Sequence, residues 1–204
     1  MKISNIAQKC KSNKHALIID CGPYQFLGNG AAMYKVSGLP KLGPENISAL
    51  FGLSEKDWLE NWISRIAPAG ATGVSFEDME DDDEPAIQPY TSIVLNGEIL
   101  RCFVGKYSRE MIFAKSWYLE NLDPGIIEYY IRRTTSGHPV LVAKQGMLTE
   151  AIIYPISVAP KALSDKLYEY AAAVSKQCSN YERVEDSLQM QFTDDIEEPE
   201  KDDY

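Results

Sequence analysis

Short apolar runs, some continuous and some at helical spacing, are separated along this chain by turn residues. Ala16-Leu17-Ile18-Ile19-Asp20 reads as a buried strand, and Gly22-Pro23-Tyr24 turns the chain. Gln25 to Val36 continues extended around Gly28-Asn29-Gly30, an Asn-Gly hairpin signal in which both residues tolerate positive φ. Pro44-Glu45 opens a helix, because proline suits the first turn and an acid favours the dipole there. Ile47, Leu50 and Phe51 form its apolar face, and Gly52 ends it. Ser54 is placed to cap a second helix through the amide of Asp57, with Trp58, Leu59, Trp62, Ile63 and Ile66 as its stripe. Pro68 to Gly73 closes that helical region, and Val74 to Phe76 reads as a short strand. Tyr90–Leu95 and Ile99–Gly105 flank Asn96-Gly97, a second hairpin.

Met111 to Val158 reads as strand, short helix and three-strand meander. Met111-Ile112-Phe113 precedes a helix over Lys115–Leu122, stopped by Asp123-Pro124-Gly125. Ile126–Arg132, Val140–Ala143 and Leu148–Val158 follow as extended runs. Pro160 begins a further helix carrying Leu163, Leu167, Tyr170, Ala171 and Val174. The pattern predicts an α+β fold of antiparallel sheets with helices packed on one face. The expected organisation is one α+β domain over 14–158, a C-terminal helix over 159–178 and an acidic flexible tail over 179–204.

Charge changes this picture. The formal net charge is −10 over 204 residues. Seven acids lie between Glu77 and Glu84, and ten acids against two bases lie between Glu182 and Tyr204. Thirteen acids then remain against eighteen bases, so the rest of the chain is about +5. Both acidic segments are expected to be solvated and mobile, because like charges resist packing. No apolar run approaches the roughly 18 residues of a membrane helix, and Met1 to Lys14 lacks the apolar centre of a signal peptide. A soluble cytoplasmic protein without membrane partners is the expectation, with Cys10, Cys21, Cys102 and Cys178 as reduced thiols.

Candidate chemistry is sparse. The cysteines form no C-x-x-C pair, and only His15 and His138 could help them hold zinc. Gly28-x-Gly30 lacks the third glycine of a dinucleotide loop, where Met33 stands. Neither histidine accompanies a nucleophile turn. Asp20, Glu45, Glu98, Glu110, Glu120, Glu128 and Glu150 form no metal motif, so no catalytic residue, metal or cofactor is predicted. The bases suggest phosphate contacts instead: Lys9, Lys11 and Lys14 near the N-terminus, Lys106, Arg109 and Lys115 before the central helix, and Arg132-Arg133.

Phe113, Tyr118-Leu119, Leu122, Ile127-Tyr129-Ile131, Pro139-Val140-Leu141-Val142 and Ile152-Ile153-Tyr154-Pro155-Ile156 stand in an order and spacing that resembles the end of the final domain of bacterial DNA sliding clamps. The resemblance spans about a quarter of the chain. Two departures accompany it: Ser157 stands where the family has a base, and about 46 residues follow where the family chain ends. The resemblance implies a single clamp-type domain with Ile153, Tyr154, Pro155 and Ile156 on a partner-peptide surface. It also implies duplex DNA or replication proteins as partners, and assembly as a homo-oligomer. The function expected is non-catalytic: a DNA-associated or partner-peptide-binding protein in a phage or mobile-element setting. Gln189-Met190-Gln191-Phe192 resembles a clamp-binding peptide. The alternatives are an acidic nucleic-acid mimic that inhibits or modulates a host protein and, last, a hydrolase.

Overall fold

A computed structural model describes residues 3–88, 92–120 and 122–156. The chain divides into a unit over Met1–Ile156 and another over Ser157–Tyr204. The expected helix at 159–178, the acidic tail and Gln189–Phe192 lie outside the described residues. Among its described residues the first unit is α+β, with eleven strands joined in one branched sheet and a few short helices.

A helix precedes the first strand. α1 (Ile3–Lys11) buries Ile6, Ala7, Lys9 and Cys10, so the domain begins before residue 14. β1 (His15–Asp20), β2 (Gln25–Gly28) and β3 (Ala32–Val36) form an antiparallel meander. At the β2–β3 turn Gly30 alone takes positive φ, while Asn29 Oδ1 accepts the amides of Ala31 and Ala32 at 3.1 Å. The expected hairpin therefore forms through an asparagine side chain rather than through two left-handed residues.

α2 (Pro44–Leu50) starts with Pro44 in its first turn and Glu45 beside it. α3 (Glu55–Asn61) is capped as expected, with Ser54 Oγ accepting the Asp57 amide at 3.2 Å. The helix is shorter than its apolar stripe suggests. Trp58 and Trp62 stack at 5.3 Å, but Ile63 and Ile66 belong to β4 (Ile63–Pro68), which pairs in parallel with β1. A 3-10 turn follows at Ala69–Thr72, and the strand expected at residues 74–76 does not form.

β5 (Glu84–Ile87) bridges the two halves of the sheet, pairing with both β9 and β7. β6 (Ser92–Leu95) and β7 (Glu98–Gly105) make the hairpin predicted at Asn96-Gly97, whose φ values are +51° and +80°. β8 (Met111–Lys115) lies on the far side of β7, and α4 (Ser116–Leu119) is a single turn. β9 (Ile127–Arg133), β10 (Pro139–Gln145) and β11 (Leu148–Ile153) form the predicted meander. The sheet order is β4-β1-β2-β3-β11-β10-β9-β5-β7-β6, with β8 branching from β7. Among the described strands only β1–β4 is a parallel pair.

Side chains alternate between two cores because successive residues of a strand face opposite ways. Leu141, Ala143, Ala151, Ile153, Leu27 and Tyr34 pack with α1 to α4 on one face. Val140, Val142, Ile152, Met33, Phe26 and Ile19 form a second core on the other face, closed by Val74 and Phe76. Among the described residues no helix is long and apolar enough to cross a membrane.

Candidate functional site

The second face has a charged component that the sequence does not announce. Arg132 on β9 and Lys144 on β10 face the same side as Val140 and Val142, and Lys35 on β3 shares it with Met33. Opposite them lies the acidic segment. Phe76 anchors it with its ring 4.8 Å from that of Phe26. Asp83 accepts Arg132 Nε and Nη2, both at 2.7 Å, and also accepts Lys144 Nζ. Arg132 Nη1 donates to the carbonyls of Ser75 and Glu77 at 2.8 and 3.0 Å. Asp78 binds Lys35 at 3.2 Å and accepts the Thr149 amide at 2.8 Å.

Two rings extend this network. Lys35 Nζ lies 4.4 Å from the centre of Tyr24, and Lys144 Nζ lies 4.7 Å from that of Tyr130. Burial pushes the Asp83 carboxyl up, but hydrogen bonds from Arg132 and Lys144 outweigh it and hold it below its ordinary range. The expectation of a solvated, mobile acidic loop is therefore corrected for Asp78 and Asp83. Repulsion among the acids is offset by cations from three strands, which sequence proximity does not reveal.

The eight bases predicted to meet nucleic acid do not form one patch. Arg132 has 1% of its side chain exposed, and its Nε and both terminal nitrogens hold the acidic segment. Lys9 is also buried: its Nζ donates to the Trp117 carbonyl and sits 4.8 Å from that ring's centre. Burial lowers the Lys9 pKa, with Glu120 partly opposing the shift. Both residues are corrected from phosphate contacts to interior fixtures. Lys115 pairs with Glu98, and Arg133 pairs with Glu110. Lys11 and Lys14 are exposed around the α1–β1 turn, while Lys106 and Arg109 are exposed in the β7–β8 turn.

The predicted peptide surface is also altered. Ile153 is fully buried in β11, between β3 and β10, where it opposes Ala32 and Leu141. It cannot meet a partner without opening the sheet. Tyr154, Pro155 and Ile156 are half-buried beyond the strand. The Tyr154 amide donates to Ala31 O at 2.8 Å and the Ile156 amide to Phe113 O at 2.9 Å. These bonds tie the end of β11 to the β2–β3 turn and to β8.

Reactive groups are embedded rather than poised. Burial pushes the Cys10 thiol up to about 12 and the Cys21 and Cys102 thiols up to about 11. His15 Nδ1 lies 3.0 Å from Asn29 O, and His138 lies in an exposed turn. Among the described residues, no three His, Cys, Asp or Glu side chains converge to hold a metal ion. A cleft of about 420 Å³ opens where β5 leaves β9, lined by Pro85, Gln88, Glu128, Tyr129 and Tyr130.

An exposed apolar margin lies at the β4 end of the sheet. β4 has β1 as its hydrogen-bonded neighbour, and no second neighbour occurs among the described residues. Ile63 and Ile66 are 58% and 47% exposed, and Leu59 on the preceding helix is more exposed still. Ile66 shares the helical face with its partner Ile18, whereas Ile63 and Arg65 lie on the opposite face with His15 and Leu17. Sequence reasoning misses this edge, because 59, 63 and 66 fit a helical stripe. The closely following Pro68 is the local signal against a long helix. No protein-family model, curated protein or solved structure matches the chain.

Proposed function

We propose that this chain is a non-catalytic binding protein whose partner is a segment of another protein. The observation that carries this reading is the edge of β4, which has no second strand neighbour among the described residues and where Ile63 and Ile66 stand in solvent. Scattered exposed apolar residues are ordinary, but Ile63 and Ile66 flank a strand edge, one on each face, where side chains of an added strand could cover both. The charged groups on the second face serve the fold instead, since Asp83, Arg132 and Lys144 satisfy one another.

A DNA-associated, clamp-like role is the second reading. Lys11, Lys14, Lys106 and Arg109 are exposed, and the order β8, α4, β9, β10, β11 follows the arrangement that suggested the clamp resemblance. Peptide display against the full chain, followed by titration of the recovered peptides and of a duplex oligonucleotide, separates the two. The expected result is saturable peptide binding and no duplex binding at about 50 or 200 mM salt. Failure to recover a binding peptide, with salt-sensitive duplex binding in its place, would overturn the protein-binding reading in favour of DNA.

A further inference from the structure

We infer that the open edge of β4 accepts an extended, acidic segment of a partner protein as an added strand. This rests on the protein-binding reading and assigns it both a site and a partner chemistry. The Ile63 amide donates to Lys14 O at 3.0 Å, which fixes the side of β4 that faces β1. Strand alternation then turns the N–H and C=O groups of Ser64 and Ile66 to the open side. Pro68 follows in the same phase and offers no N–H, so pairing is limited to the strand's first part. Ile63 and Ile66 stand on opposite faces, where alternating side chains of an added strand would cover them.

Charge selects the occupant. Arg65 is the charged residue of β4, and Lys14 adjoins the strand's beginning. Both are exposed, and neither forms an ion pair with another described residue. The acids Glu55, Asp57 and Glu60 belong to the preceding helix. An acidic residue opposite Arg65 gains a cross-strand partner, whereas a basic residue meets like charge. Arg65 and Pro68 also discourage indiscriminate edge pairing, which a flat apolar strand would invite.

The test uses the full chain and an eight-residue probe, blocked at both ends, alternating isoleucine with glutamate. Saturable binding is expected. Arg65→Glu should weaken it by about 5- to 30-fold and favour a probe with lysine in place of glutamate. Ile66→Pro should abolish it, and N-methylation along the probe should be harmful only at alternate residues. The probe series remains decisive if Ile66→Pro fails to fold. Equal sensitivity at every N-methylated position, or indifference to Arg65→Glu, would overturn the assignment. So would displacement of the probe by duplex DNA or by dimerisation of the full chain. Displayed peptides that bind wild type and a folded Ile66→Pro equally would sink this edge while leaving the protein-binding reading intact.

Discussion

Removing the Asp83 charge should strand two buried cations. In Asp83→Asn the side-chain volume is kept, but Arg132 and Lys144, with 1% and 6% of their side chains exposed, lose their shared carboxylate. Breaking a buried ion pair from one side costs about 3–5 kcal/mol, because the remaining charge is uncompensated. Against a typical domain stability of about 5–15 kcal/mol, that is a large fraction. It corresponds to a melting-temperature fall of about 6–20 °C for a chain of this size. Urea unfolding followed by tryptophan fluorescence measures the loss, with Trp58, Trp62 and Trp117 as reporters. The pH dependence supplies a second check. The Asp83 pKa is depressed in the fold, so its stabilisation is present above the unfolded carboxylate value, near 4. It is lost as pH falls through the lower folded value. Wild type and variant should therefore differ by a constant amount from about pH 5 to 8 and converge below about pH 4. A difference under about 1 kcal/mol at pH 7, or one that persists undiminished in strong acid, would refute the buried-cation argument.

Two further outcomes follow from local geometry. Gly97→Ala should cost about 1 kcal/mol in urea unfolding, because φ there is +80° while the space around the new Cβ is open; an unchanged midpoint would show that the hairpin relaxes freely. In a Cys178→Ser background, Cys10 should resist a disulfide exchange reagent at pH 8 until the protein unfolds, since its thiol is buried and pushed up to about 12; rapid native-state labelling of Cys10, located by peptide mapping, would contradict that burial.

How much of this was legible depends on the range of the deciding interaction. The Asn96-Gly97 turn and the Ser54 cap are settled within four residues, and both form where the sequence puts them. The β9–β11 meander is settled by turn spacing and alternating burial, and it is legible too. The strap from Val74 to Asp83 was not, because its cations come from residues 35, 132 and 144. A finer clue existed in the strand pattern. Ile131 faces the helical core, so Arg132 must face the other way, beside Val140. A base on the inward side of a central strand needs an internal anion, and the richest nearby source is the Glu77–Glu84 run.

The β4 edge exposes the opposite difficulty. Leu59, Ile63 and Ile66 satisfy helical spacing as well as any buried stripe does, because spacing records apolarity and not burial. Their true environment is decided by pairing between residues 63–68 and residues 15–20, nearly fifty positions away. Once that pairing forms, β1 satisfies one side of the strand and the other side keeps the backbone groups of Ser64 and Ile66 outward. The same isoleucines that look like core in the sequence thereby become solvent-facing side chains at a strand edge. An apolar pattern that would otherwise be explained by packing consequently acquires a second use, as the place where another chain can complete the sheet.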